Sequence, residues 1–112
     1  MAKFKHDQKV LVLFHSYYLG ESRVWSGFVD LGGSHESVVD AGGPTVPVVF
    51  LPERNRRDVP RDEVVPYTKA DEEAMLRIAK GLNSRTIAAW EAAKDAAEAE
   101  VRALSGKRAP GG

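Results

Sequence analysis

The chain changes chemistry once, near Tyr67. Five of its six prolines lie before that residue, together with all four phenylalanines and most of the valines, whereas Ala and Glu take over after it. Branched and aromatic side chains favour strands and Ala and Glu favour helices, so the front of the chain is expected to form a sheet and the rear a helical unit. Six of the ten glycines also precede Tyr67, which concentrates the turns in the front. The expected fold class is α+β.

In the front, Lys9–Phe14, Arg23–Asp30, Glu36–Asp40, Val46–Leu51 and Glu63–Val65 read as short strands, with Gly32-Gly33 and Gly42-Gly43-Pro44 as turns between them. Five short strands in so little chain point to a small closed barrel, because an open sheet leaves its edges unpaired and one face bare. In the rear, Thr68 with Asp71 resembles a capping box, and Met75, Ile78, Ala79 and Leu82 share one helical face, predicting a helix from about Lys69 to Lys80 that Gly81 helps to stop. Ser84 is placed to cap a second helix that ends at Gly106. Its stripe is Ile87, Trp90, Ala97, Val101 and Leu104, with Lys94–Glu98 and Glu98–Arg102 as opposite-charge pairs one turn apart. The organisation expected is a barrel over residues 5–66, a helical hairpin over 68–105 and a disordered tail over 106–112.

Val10–Phe14 is apolar at every position, although a barrel strand with one wet face should alternate. If Val10, Val12 and Phe14 fill the interior, Leu11 and Leu13 need a cover. Either the helical hairpin lies over them, or a partner subunit does, with the stripe through Ile87, Trp90, Val101 and Leu104 as the seam of a homo-oligomer.

Lys9-Val-Leu-Val, then Val24-Trp-Ser-Gly-Phe-Val29, then Pro47-Val-Val-Phe50, then Asp58–Pro66 together resemble SH3-like barrels of the Tudor and KOW kind. The resemblance implies a five-stranded SH3-like barrel with a short helical turn before its last strand, here at Val59–Glu63. It bears on fold far more than on function. Members of that group bind through aromatic residues at one end of the barrel, which frame methylated lysine or arginine, or through loops that touch RNA, DNA or RNA polymerase. The corresponding rings here are Tyr17, Tyr18, Trp25 and Phe50, since a cation is drawn to the face of an aromatic ring. The ordinary reading of Trp25 and Phe50, which sit in expected strands, is core packing. A barrel followed by helices also resembles the RNA-polymerase-binding regulators of the CarD type.

Charge narrows the classes of partner. The 16 basic and 16 acidic side chains cancel, and they do so in each part: 8 against 9 in residues 1–66 and 8 against 7 in residues 67–112. A neutral domain lacks the general pull on phosphates that a nucleic-acid binder uses, so nucleic acid is disfavoured as a partner. The densest basic group, Arg54, Arg56, Arg57 and Arg61, is interleaved with Glu53, Asp58, Asp62 and Glu63, as expected of a solvated loop laced with ion pairs. It remains the best contact patch, together with the exposed loop candidates Tyr17 and Tyr18.

The chemistry for catalysis is thin. There is no cysteine, His6, His15 and His35 have no metal-ligand spacing, and Gly42-Gly43-Pro44-Thr45 lacks the lysine of a phosphate loop. Lys9–Gly20 resembles the first strand and phosphate loop of flavodoxin-like proteins, but such a loop must open a helix, and Arg23–Asp30 reads as strand. Ile78–Trp90 resembles a helix-turn-helix, but its spacing is short and Glu91 and Asp95 would face the DNA. No cofactor and no metal are expected. The longest apolar run is too short to span a membrane, and the absence of cysteine fits a reducing, cytoplasmic setting. The function expected is therefore a non-enzymatic protein-binding or adaptor module. The alternatives are a transcription-associated factor that binds RNA polymerase or nucleic acid, and a connector component of a phage particle or another assembly.

Overall fold

Residues 3–32 and 42–107 are described by a computed structural model. Five strands are followed by two helices: β1 (Lys9–Ser16), β2 (Glu21–Val29), β3 (Thr45–Phe50), β4 (Asn55–Pro60), a single 3-10 turn (Arg61–Glu63), β5 (Val65–Pro66), α1 (Lys69–Asn83) and α2 (Ile87–Lys107). The strands form one sheet in the order β4-β3-β2-β1-β5 with every neighbour antiparallel. Its two outer strands are not bonded to each other, so hydrogen bonds do not close it into a barrel.

The apolar run in β1 serves two cores. Val10 and Val12 face a cluster with Phe4, Val29, Val46, Val48, Phe50, Val59 and Val64, while Leu11 and Leu13 face a second cluster with Val65, Met75, Ala79, Leu82, Trp90, Ala97 and Val101. Side chains alternate across a strand, so an unbroken apolar run is what a strand buried on both faces requires. The cover over Leu11 and Leu13 is the chain's own helical pair. Trp90 and Val101 of the expected oligomer seam are buried in this second cluster and Leu104 packs against it, while Ile87 is exposed.

Glycine is required at position 27. A Cβ there would fall 2.5 Å from the carbonyl oxygen of Val49 and 2.9 Å from Val48, so β2 and β3 approach too closely for any side chain. Pro47 sits within β3 without breaking it. Its carbonyl accepts from the Asp30 N–H at 2.9 Å, so its nitrogen faces β2 where that ladder ends at Val29 and Val48.

Several boundaries differ from the sequence reading. The arginine-rich stretch expected as a loop is β4, an edge strand, where charged side chains are tolerated because one side meets water. The expected strand Glu36–Asp40 lies outside the described residues. Glu63 ends the 3-10 turn, so the last strand is Val65–Pro66. Thr68 caps α1 as expected, accepting from the Asp71 N–H at 3.0 Å, but the helix runs past Gly81 to Asn83. Thr86, not Ser84, caps α2 through the Ala89 N–H, and the Ser84 hydroxyl donates to the Gly81 carbonyl instead. Gly106 lies inside α2, and residues 108–112 of the expected tail lie outside the described residues.

Candidate functional site

β5 is two residues long and pairs with β1 only at Val10 and Leu11. Beyond Leu11, β1 has a strand partner on its β2 side alone among the described residues. Between this stretch and β4 the unclosed sheet leaves an open groove of about 300 Å³, lined by Val12–His15, Tyr17, Trp25, Phe50, Arg57–Pro60, Glu63 and Glu98.

The groove has an aromatic wall. Phe14 of β1 stacks on Trp25 of β2 with ring centroids 4.1 Å apart and planes 13° from parallel, and Trp25 meets Phe50 of β3 edge-on at 5.3 Å. Arg57 pairs with Val48 across the β3–β4 ladder and its guanidinium lies over Phe14 at 5.4 Å and over Trp25 at 5.5 Å. A weakly hydrated planar cation on aromatic faces fits this position, and a lysine ammonium fits it less well. The acidic residues of the lining are Asp58, Glu63 and Glu98, against one arginine. Burial raises the pKa of Glu63 above the usual carboxylate range, Glu98 and Asp62 push it the same way, and Arg102 opposes them.

Behind the groove lies a buried polar chain. Trp90 Nε1 donates to Ser22 Oγ at 2.8 Å, and the same oxygen lies 2.7 Å from His15 Nδ1. A serine oxygen can accept two hydrogen bonds and donate one, so the direction of the Ser22–His15 bond follows the imidazole tautomer, and on the far side of the ring Nε2 lies 3.3 Å from Glu98 Oε1. That last contact is off the angle of a hydrogen bond and acts as an electrostatic one. Burial lowers the His15 pKa, with Lys94 adding to the effect and Glu98 and Asp95 opposing it. A serine, a histidine and a carboxylate in line invite comparison with a nucleophile and its base. Ser22, however, is 1% exposed and its oxygen already accepts from Trp90, so it cannot reach a substrate carbonyl. The backbone of Ser22 is tied as well, its N–H donating to Asn83 Oδ1 and its carbonyl accepting from Asn83 Nδ2, both at 2.7 Å. Trp90 and Asn83 thus tie α2 and the end of α1 to Ser22 of β2, and His15 joins the contact from β1.

The arginine cluster does not form one surface. Arg54 sits in the β3–β4 turn with a left-handed φ of 60°. Arg56 reaches Asp30 at 3.4 Å, Arg57 enters the groove, and Arg61 is buried with Nε donating to the Gly43 carbonyl at 2.7 Å. Along a strand consecutive side chains point to opposite faces, so a cluster in sequence disperses in space. Of the four candidate rings, Tyr17, Trp25 and Phe50 line the groove, and Tyr18 projects into solvent at 96% exposure. Tyr17 also meets Trp90 edge-on at 5.6 Å, with Lys94 5.2 Å from its ring centre.

Phe14, Glu63 and Glu98 are groove residues that the sequence reading did not single out. Phe14 was recoverable, because it shares the parity of Val10 and Val12 and follows them to the strand's end. Glu98 was not, because its position depends on how the helical pair is rotated over the sheet. Among the described residues no group of His, Cys, Asp and Glu side chains is arranged to hold a metal ion, and no helix is long and apolar enough to cross a membrane. No protein family, no curated protein and no solved structure matches this chain.

Proposed function

We propose that this chain is a non-enzymatic adaptor built on an SH3-like barrel, which binds a protein partner through the groove between β1 and β4. The strand order, with β1 between β2 and β5 and a 3-10 turn before the last strand, supports the SH3-like reading of the sheet. The observation that carries the binding role is the Phe14–Trp25–Phe50 wall, partly open to solvent, with Arg57 over it and acidic residues among the groove lining. Aromatic and arginine anchors in a small concave site, rimmed by charges, are the composition of a protein-recognition hot spot. A binding role also accounts for why Arg57, an exposed cation on an edge strand, is directed onto aromatic rings.

The test is capture of a protein partner by the immobilised full chain. Capture should change little between about 50 and 200 mM salt and be lost with Arg57→Glu, while the far-ultraviolet circular dichroism of that variant stays that of the wild type. Binding to random duplex DNA that weakens steeply over the same salt range would instead favour the transcription-associated alternative.

A further inference from the structure

The backbone around the groove has a direction that the side chains do not reveal. In an antiparallel ladder the N–H and C=O of successive residues point to opposite sides. The Gln8 carbonyl accepts from the Val29 N–H at 3.0 Å and the Lys9 carbonyl accepts from the Tyr67 N–H at 3.0 Å. Even-numbered residues of β1 thus bond toward β2 and odd-numbered ones toward β5. Because β5 pairs with β1 only as far as Leu11, the backbone groups of Leu13 and His15 face the groove beyond the end of that ladder. The same parity holds opposite. Pro47 turns its carbonyl to Asp30 on β2, so Val46, Val48 and Phe50 bond toward β4, where they meet Val59, Arg57 and Asn55. Arg56 and Asp58 then direct both of their backbone groups, and Pro60 its carbonyl, away from β3, and the groove lies on that side of Asp58 and Pro60.

We infer that the groove takes an extended peptide segment of a partner protein, which enters as an added strand between β1 and β4 and carries a basic side chain toward Glu63 and Glu98. The inference rests on the protein-binding reading above and names the ligand of that same groove. Main-chain groups of the peptide would meet those of Leu13 and His15 on one side and of Asp58 and Pro60 on the other, as in strand addition to an exposed sheet edge. Its side chains would alternate between the Phe14–Trp25 wall and the layer under α2. The lining itself selects the sign of that side chain. Glu63 and Glu98 stand against Arg57, and Arg102, which pairs with Asp62 at 3.2 Å and Glu98 at 3.8 Å, does so from outside the groove.

A random heptapeptide library panned against the full chain tests the inference. Enriched peptides should alternate apolar β-branched residues, carry Lys or Arg and lack proline at central positions. Asp58→Pro deletes one groove-facing N–H while leaving the β3 ladder intact, because proline is tolerated on an edge strand whose N–H faces outward. It should weaken the enriched peptides by roughly five- to tenfold relative to Asp58→Ala, the fold-change of one hydrogen bond. Amide hydrogen exchange of the wild-type chain gives a readout that does not depend on how the proline variant folds. The Leu13, His15 and Asp58 amides should exchange faster than those of Val12, Phe14 and Arg57, and slow when peptide binds. Peptides that bind the Pro and Ala variants equally, or that leave those three amides unprotected, would overturn strand addition and leave the adaptor reading standing. Failure to enrich any peptide overturns the inference, and if no protein partner is captured either, the adaptor reading falls with it.

Discussion

His15 and Glu63 make the chain's stability depend on pH in opposite directions. Burial lowers the His15 pKa below its ordinary value, so between the two values the unfolded chain binds more protons than the folded one. That contribution is complete above about pH 6.5 and is lost as the pH falls toward the folded value. His15→Gln should therefore flatten the loss of stability below about pH 6.5, read from urea midpoints across pH. Glu63 behaves in the reverse sense. Its raised pKa means that the folded chain holds the proton longer, so ionisation costs stability as the pH rises through and above the usual carboxylate range. Glu63→Gln should accordingly raise the urea midpoint at pH 7, and an unchanged midpoint would mean that the carboxylate is well compensated there. Gly27 is a steric matter alone. Gly27→Ala should cost roughly 1–3 kcal/mol, because the added methyl must displace the Val49 carbonyl rather than a flexible side chain.

At the scale of elements, the helical pair is part of the sheet's structure rather than an attachment to it. Leu11, Leu13 and Val65 are buried only because Met75, Leu82, Trp90 and Val101 lie over them. Trp90→Ala should cost about 3–5 kcal/mol, through lost burial and the lost Trp90 Nε1–Ser22 Oγ hydrogen bond, with the loss appearing in thermal denaturation of the monomer. Dissociation of an oligomer without loss of stability would show that Trp90 serves another copy instead. Both helices were legible in the sequence, since apolar spacing and the Thr68 cap are local signals. So were β1, β2 and β3, and the need for a cover over Leu11 and Leu13. β4 was not, because an edge strand shows the sheet period only at its inward positions, and here two of the three, Asn55 and Arg57, are polar. Half of the groove followed from that omission: with the arginines read as a loop, nothing placed Arg57 on Phe14 and Trp25.

For the whole molecule, one sheet with a core on each face should unfold as one unit, since β1 supplies both clusters from adjacent residues. The two tryptophans test this, Trp25 reporting on the groove face and Trp90 on the helical face. In Trp90→Phe and Trp25→Phe variants, the remaining fluorescence and the circular dichroism should give coincident urea transitions. Separate transitions would divide the chain into two folding units. The two-sided burial of β1 has one more consequence. Pairing is normally fixed because a shift by one residue turns an apolar face to water. In Val10-Leu11-Val12-Leu13 such a slip merely exchanges valine for leucine on each face, so greasiness does not choose the alignment. What distinguishes the native alignment is that it sets Gly27 opposite Val10 and His15 opposite Ser22. The polar pair near the hairpin's turn thus acts as an index mark for the whole strand, and a chain that lost it would risk folding one residue out of step.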